Sequence, residues 1–508
     1  MQALGRDFQA RIAGITRLDP TAVAVEFQSR EWSWGSIAHV AEAIEQRFEE
    51  AGLPPCVPVG WVARNNPSMI AAAIAILESE RFIAPLNPHQ PAVKLADDII
   101  DLKMPAVLAS PGDWAAAVVE AAKRVGAIGI VVDLENGSAE FHPDLREIGP
   151  GPHRAPMPGF ALERLTSGTT GPPKRIPVKT QDLAEGLMAG APSKAAVENL
   201  QAGKLERFED SAILFNSFAH SGGLYALVLA IYFGRPIALF ERFSVEGWVG
   251  AIKRHRPLSA MLVPTMINMI LDSDTDPADL ASLKAVRSAT APLDPESQQR
   301  FEERFNVPVL IDYGASEFIG GVAGWTLREY REFSEAKRGS VGRAKKGVEI
   351  RVVGENGVPL DCAEIGTLEV RAERFGGNWV STTDLASIDE DSFLYIRGRA
   401  DEAINRGGFK VLPEKVAEVL RSHDSVSDAA ILAISDTRLG QAPLAIIELR
   451  GDNYSGLAEE LDALVREHLP AYCAPVGYEF APQLPRTVSL KLQRPAIRQM
   501  FEEKYKFS

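Results

Sequence analysis

Short apolar runs rich in β-formers alternate with segments of helical period along most of this chain, and that alternation restricts the fold more than any other feature. Residues 57–62 form a short β-rich run, and 106–109 and 129–132 read as buried parallel strands. Residues 37–48, 67–77 and 114–125 carry apolar side chains at helical spacing. The first of these ends near Gly52, and the second opens on Pro67, a residue suited to a first helical turn. Farther on, 212–215, 224–232, 236–239, 245–254 and 260–263 continue the alternation of strand and helix. Such alternation predicts parallel sheets covered by helices.

The texture changes after about Gly339. Residues 348–353, 367–370 and 393–396 read as short strands joined by turns such as Glu355-Asn356-Gly357, which predicts a small antiparallel unit. Beyond Arg399 the pattern is mixed again, with helices at 413–422 and 455–469 and strands at 426–434 and 443–449. The expected fold class is α/β: a large N-terminal domain of parallel sheets with helices plus a β subdomain, residues 1–398, and a small α+β C-terminal domain, residues 399–508.

Charge narrows the partners. Lys and Arg number 54 against 68 Asp and Glu, a net charge of −14, so nucleic acid and anionic membrane surfaces are repelled at long range. A local anion site remains possible, because backbone N–H groups and a few cations can build one. The most apolar stretch, 224–239, is interrupted by Gly234-Arg235-Pro236 and falls short of the roughly 20 residues a membrane span requires. The N-terminus lacks the apolar run of a signal peptide. Cys56, Cys362 and Cys473 are too far apart for a C-x-x-C pair and are expected to be inert thiols, with the cytoplasm the natural compartment. A homodimer is left open.

The segment Leu165-Thr166-Ser167-Gly168-Thr169-Thr170-Gly171-Pro172-Pro173-Lys174 is dense in hydroxyls and glycines. Backbone N–H groups of a Gly-rich turn can converge on phosphate oxygens, with Ser and Thr hydroxyls and a Lys adding donors. The Walker A spacing fails, since Pro173 stands where its second glycine would be. Composition alone leaves an anion site and a solvated linker equally open.

Residues 167–174 resemble the phosphate loop of the adenylate-forming superfamily of acyl-CoA synthetases, firefly-type luciferases and peptide-synthetase adenylation domains. Four further segments match in the order of that family. Phe218-Ala219-His220-Ser221-Gly222-Gly223 resembles the wall of an acyl pocket, which implies substrate contacts for His220, Gly222, Gly223 and, later, Gly314, with His220 also a candidate catalytic residue. Ala289-Thr290-Ala291-Pro292 and Asp312-Tyr313-Gly314-Ala315-Ser316-Glu317 resemble the adenine-binding segments, with Tyr313 against the base and Glu317 as the Mg²⁺ ligand. Thr382-Thr383-Asp384 and Gly398-Arg399-Ala400-Asp401 resemble the ribose-binding and hinge segments: Asp384 would accept from the ribose diol, Arg399 would contact ribose or phosphate, and the C-terminal domain would turn about Asp401. Arg406-Gly407-Gly408-Phe409-Lys410 resembles the loop that enters for the second half-reaction. Leu484-Pro485-Arg486-Thr487-Val488-Ser489-Leu490-Lys491 resembles the segment whose lysine stabilises the adenylation transition state. Thr383 and Leu490 stand where the family commonly has glycine, and Asn405 where many relatives have lysine.

The resemblance runs from about Trp32 to about Arg498 and implies ATP, Mg²⁺ and coenzyme A as cofactors and a small carboxylic acid as substrate. The stretch after Lys491 is too short for a carrier domain, so an acyl- or aryl-CoA synthetase is expected; the rival is a ligase that loads a separate acyl carrier protein. A non-catalytic nucleotide binder is disfavoured by Lys491, Glu317 and Asp384 occurring together.

Overall fold

The computed structural model describes residues 3–165, 175–191, 193–315, 318, 320–451, 456–487 and 490–508. The chain forms two compact units, one of Met1–Met261, Thr275–Lys284 and Phe318–Gly320, the other of Leu262–Asp274, Ala285–Glu317 and Gly321–Ser508.

The first unit is built on a seven-stranded sheet. Its spatial order is Ser138–Phe141, Ile128–Asp133, Ala106–Ala109, Pro58–Val62, Phe82–Leu86, Phe160–Leu165, Arg175–Lys179. The five inner strands are parallel and the two edge strands antiparallel. Pro58–Val62, Phe82–Leu86 and Ala106–Ala109 are buried at every position, which is why they read as unbroken apolar runs rather than alternating ones. The helix Pro67–Glu78 is buried from Pro67 to Leu77 and so is apolar all round; the Asn66 side chain accepts the Met69 N–H and fixes where it begins. A second sheet orders Ala212–Leu214, Ile237–Leu239, Val23–Phe27 and Arg30–Ser33, the first three parallel.

In the second unit, Ala285–Ser288 and Val309–Tyr313 are parallel neighbours joined by the helix Pro295–Phe305. The Asp294 side chain caps that helix by accepting the Ser297 N–H at 2.8 Å. The predicted antiparallel unit is a four-stranded meander, Glu349–Val353, Gly366–Arg371, Val380–Ile388 and Leu394–Arg399. The last sheet centres on the long pair Val426–Asp436 and Gly440–Leu449. Its two faces alternate residue by residue: Ile431, Ala445 and Ile447 pack with Val416, Leu420, Leu461 and Val465 of two helices, while Leu432, Leu444 and Ile446 pack with Leu484 and Ile497. No helix among the described residues is long and apolar enough to cross a membrane.

Candidate active site

The phosphate-loop segment is a strand-to-strand connection. Leu165 and Arg175 are register partners at the adjoining ends of Phe160–Leu165 and Arg175–Lys179, a hairpin that sequence periodicity does not announce. Thr166, Ser167, Gly168, Thr169, Thr170, Gly171 and Lys174 lie outside the described residues, as do Ser316 and Glu317. The ends of these two strands are tied by buried charge. Glu163 is fully buried and pairs with Arg154 and, at 3.4 Å, with Arg175. Burial pushes the Arg175 guanidinium below the usual arginine range, and the Glu163 charge offsets part of that.

One other matched segment meets this stem. The Ser221 hydroxyl donates to the Leu165 carbonyl at 2.9 Å, tying the start of the helix Ser221–Tyr232 to the last residue before the loop. His220 is half-buried and immediately precedes that helix; its N–H donates to Ser217 O and its carbonyl accepts the Leu224 N–H. Arg164 donates to the Phe318 carbonyl at 2.6 Å. Gly222 and Gly223 differ in kind. A Cβ at Gly223 would lie 2.2 Å from Ser217 O, so this glycine answers to a close backbone approach, whereas a Cβ at Gly222 would meet nothing within 4 Å.

In the second unit, the Tyr313 hydroxyl donates to the Asp384 carboxylate. Asp384 lies directly across the sheet from Arg399, and its N–H donates to the Thr382 hydroxyl at 3.1 Å. Arg399 in turn grips Asp401 with two hydrogen bonds of 2.9 and 2.7 Å. That pairing raises the Arg399 pKa and lowers the Asp401 pKa. Burial, and then the Arg399 charge, lower the Lys491 pKa below the ordinary lysine value. An anion beside Lys491 would relieve that cost, whereas Arg399 is already paired with Asp401.

Asp312 is held between two cations. Its two carboxylate oxygens pair with Arg287 and Lys345, each at 2.7 Å, and it fills the space left by the missing side chain of Gly324. It therefore braces the end of the strand that carries Tyr313. Thr290, Ala291 and Pro292 are exposed just beyond Ala285–Ser288, and Thr290 adopts φ +79°, unusual for a β-branched residue and the kind of strain that clusters at ligand sites. Gly314 is exposed and Ala315 half-buried.

Lys491 sits on a tight turn. The Thr487 N–H donates to Lys491 O at 2.7 Å, the Leu490 N–H to Thr487 O at 2.8 Å, and the Lys491 N–H to the Thr487 hydroxyl at 3.1 Å. Leu490 has φ +60°, the left-handed conformation that glycine adopts freely and that costs other residues about 1–2 kcal/mol. Arg486 anchors the base of the turn between Asp428 at 2.8 Å and Glu448 at 2.7 Å, carboxylates from the two long strands. Arg406 donates to the carbonyls of Tyr472 and Ala474, both at 2.8 Å, so it steadies the 472–474 segment. Gly407 and Gly408 form the turn after it, at φ +59° and +91°, a geometry that requires glycine. Arg287, Lys345 and Arg486 are contributors that sequence reasoning missed; Arg486 lay within a recognised motif, whereas nothing local marks the other two.

Cys56 and Cys473 have thiols pushed up by burial, which makes them poor nucleophiles. Among the described residues no group of three His, Cys, Asp or Glu is arranged to hold a metal ion.

Comparison with known proteins bears on the whole chain. The model of the AMP-binding enzyme family matches residues 15–375, and that of the AMP-binding enzyme C-terminal domain matches residues 415–491. A 2-succinylbenzoate–CoA ligase of Bacillus pumilus (strain SAFR-032) is 27% identical, covering 94% of this chain and 95% of that protein. An oxalate–CoA ligase of Arabidopsis thaliana is 26% identical, covering 92% of each. The fold is shared with the ATP-bound MatB from Rhodopseudomonas palustris, with a TM-score of 0.81 at 20% identity over 98% of this chain and 100% of that one.

Proposed function

Because the chain belongs to the AMP-binding enzyme family, we propose that it is an ATP-dependent, AMP-forming acid–thiol ligase that activates a carboxylic acid as acyl-AMP and transfers the acyl group to coenzyme A. The observation that carries this reading is the line Tyr313–Asp384–Arg399, with Lys491 near enough for the Arg399 charge to lower its pKa. The carboxylate suits a vicinal diol and the cations suit phosphate.

In the first half-reaction a carboxylate oxygen of the acid attacks the α-phosphorus of ATP, and pyrophosphate leaves. Residues 166–171 and Lys174 would hold the phosphates, Tyr313 would lie against the base, and Asp384 would take the ribose hydroxyls. Lys491 would stabilise charge on the α-phosphate, where a preorganised cation at a partly dry site acts strongly. ATP brings Mg²⁺ on its own phosphates and needs about one protein carboxylate besides, a part for which Glu317 is the candidate. The metal would lessen repulsion between acid and phosphate.

In the second half-reaction a thiol attacks the acyl carbonyl and AMP departs. We assign residues 399–508 as the part that turns about Asp401, withdrawing Lys491 and bringing in Gly407 and Gly408, where the absence of side chains leaves room for a pantetheine arm. The Arg399–Asp401 pair would be the contact broken and remade at that pivot. The raised thiol pKa values of Cys56 and Cys473 agree with a nucleophile supplied from outside. The names of the two curated relatives support coenzyme A over a carrier protein as the acceptor.

A pyrophosphate-release screen over aryl, fatty and small dicarboxylic acids, with and without coenzyme A, tests the reading. Acid-dependent AMP and pyrophosphate with a coenzyme A thioester as product is expected. Turnover that stops at acyl-AMP in the presence of coenzyme A would favour a carrier-protein acceptor, and no acid-dependent AMP would overturn the proposal.

A further inference from the structure

The turn that carries Lys491 is held at its base and at its tip by very different contacts. At the base, Arg486 is almost fully withdrawn from solvent between two carboxylates. At the tip, the Leu490 carbonyl accepts a hydrogen bond from the Thr265 hydroxyl at 3.2 Å. Thr265 lies in the first turn of the helix Pro264–Leu271, whose Met266, Ile267, Ile270 and Leu271 are buried. Arg304 fastens the far end of that helix, donating to Leu271 O and Ser273 O at 2.7 Å each. The hydroxyl is therefore presented from a fixed support. Leu490, by contrast, has left-handed backbone that a leucine does not choose unaided; the Thr487 hydroxyl holds the Lys491 N–H of the same peptide from within the turn, and Thr265 holds its carbonyl from outside.

We propose that Thr265 is a positioning residue, a reversible latch that keeps the Lys491 turn seated for adenylation and lets go when the second half-reaction begins. This rests on the adenylation reading above. A lysine needed in one half-reaction and absent from the other requires a hold that is real but cheap to break. A buried ion pair would be too costly to break in each cycle. One neutral hydrogen bond at a half-exposed tip shifts an equilibrium by about fivefold, which suits the task.

The latch is testable without knowing the acid. The full chain is treated with N-hydroxysuccinimidyl acetate, and acetylation of each lysine is followed by peptide mass spectrometry. Lys491 is half-buried and is modified through opening of its turn, whereas Lys410 is exposed and serves as a reference. Thr265→Val is expected to raise the Lys491 rate about fivefold relative to Lys410, with Thr265→Ser close to wild type. If the valine variant fails to fold, Thr265→Ala carries the same expectation. An unchanged Lys491 rate, an equal rise at all buried lysines, or a serine variant as open as the valine variant would overturn the latch. Pyrophosphate release tests the adenylation reading separately, so the two failures are told apart.

Discussion

The hydroxyl of Tyr313 donates to the carboxylate of Asp384, joining the end of a parallel strand to the middle of the antiparallel meander. Each residue was singled out on its own motif, and the bond unites them in one site. The hydroxyl fixes the direction of a carboxylate whose proposed task is to meet two ribose hydroxyls.

Tyr313→Phe removes that donor and keeps the ring. The KM for ATP is expected to rise about five- to tenfold, the range for losing one hydrogen bond to a charged group that water partly replaces, with kcat changed less than about twofold. Steady-state kinetics at saturating acid checks this, and an unchanged KM would remove the bond from nucleotide binding.

The paired glycines after His220 separate fold from function. Gly223→Ala drives a methyl into Ser217 O and should lower Tm by roughly 5 °C or more. Gly222→Ala meets open space in the first turn of a helix and should leave Tm within about 2 °C or raise it. If Gly222 lines the acid pocket, its alanine variant also turns over the bulkiest accepted acids more slowly. Equal thermal losses in the two variants, read by scanning calorimetry, would contradict this division.

Lys491 bears a cost that its function requires. Burial and Arg399 hold its pKa below the ordinary lysine value, so its charge disfavours the folded state. That cost is full at every pH below the folded pKa, and it fades as pH rises from there to the unfolded value. Lys491→Met should therefore raise Tm by about 2 °C at neutral pH, with the gain shrinking at alkaline pH, while acyl-AMP formation is lost. A variant less stable than wild type at neutral pH would contradict the assignment.

Much of the fold was legible because buried parallel strands such as 106–109 are apolar throughout and their covering helices keep helical period. The hairpin flanking the phosphate loop was not. Phe160–Leu165 carries Glu163 and Arg164, charges satisfied by Arg154 and Arg175 and by the carbonyl of Phe318, and buried charges erase the apolar pattern. The site motifs were legible as types and spacings. What lay beyond them is three-dimensional: Asp312 is paired with Arg287 and Lys345, and no local pattern announces such pairs. Leu490 carried a partial signal, since a leucine where relatives have glycine marks a left-handed position, but its partner Thr265 did not.

The central claim is that the acid becomes an acyl-adenylate, and oxygen transfer tests it most directly. An accepted acid labelled with ¹⁸O in its carboxylate is turned over with ATP and coenzyme A, and the nucleotide product is examined by mass spectrometry. The account predicts AMP carrying one ¹⁸O from the acid and unlabelled pyrophosphate, because the carboxylate oxygen that attacks the α-phosphorus stays on AMP when the thiol displaces it. Label in inorganic phosphate with ADP as the nucleotide product, or AMP without label, would contradict it.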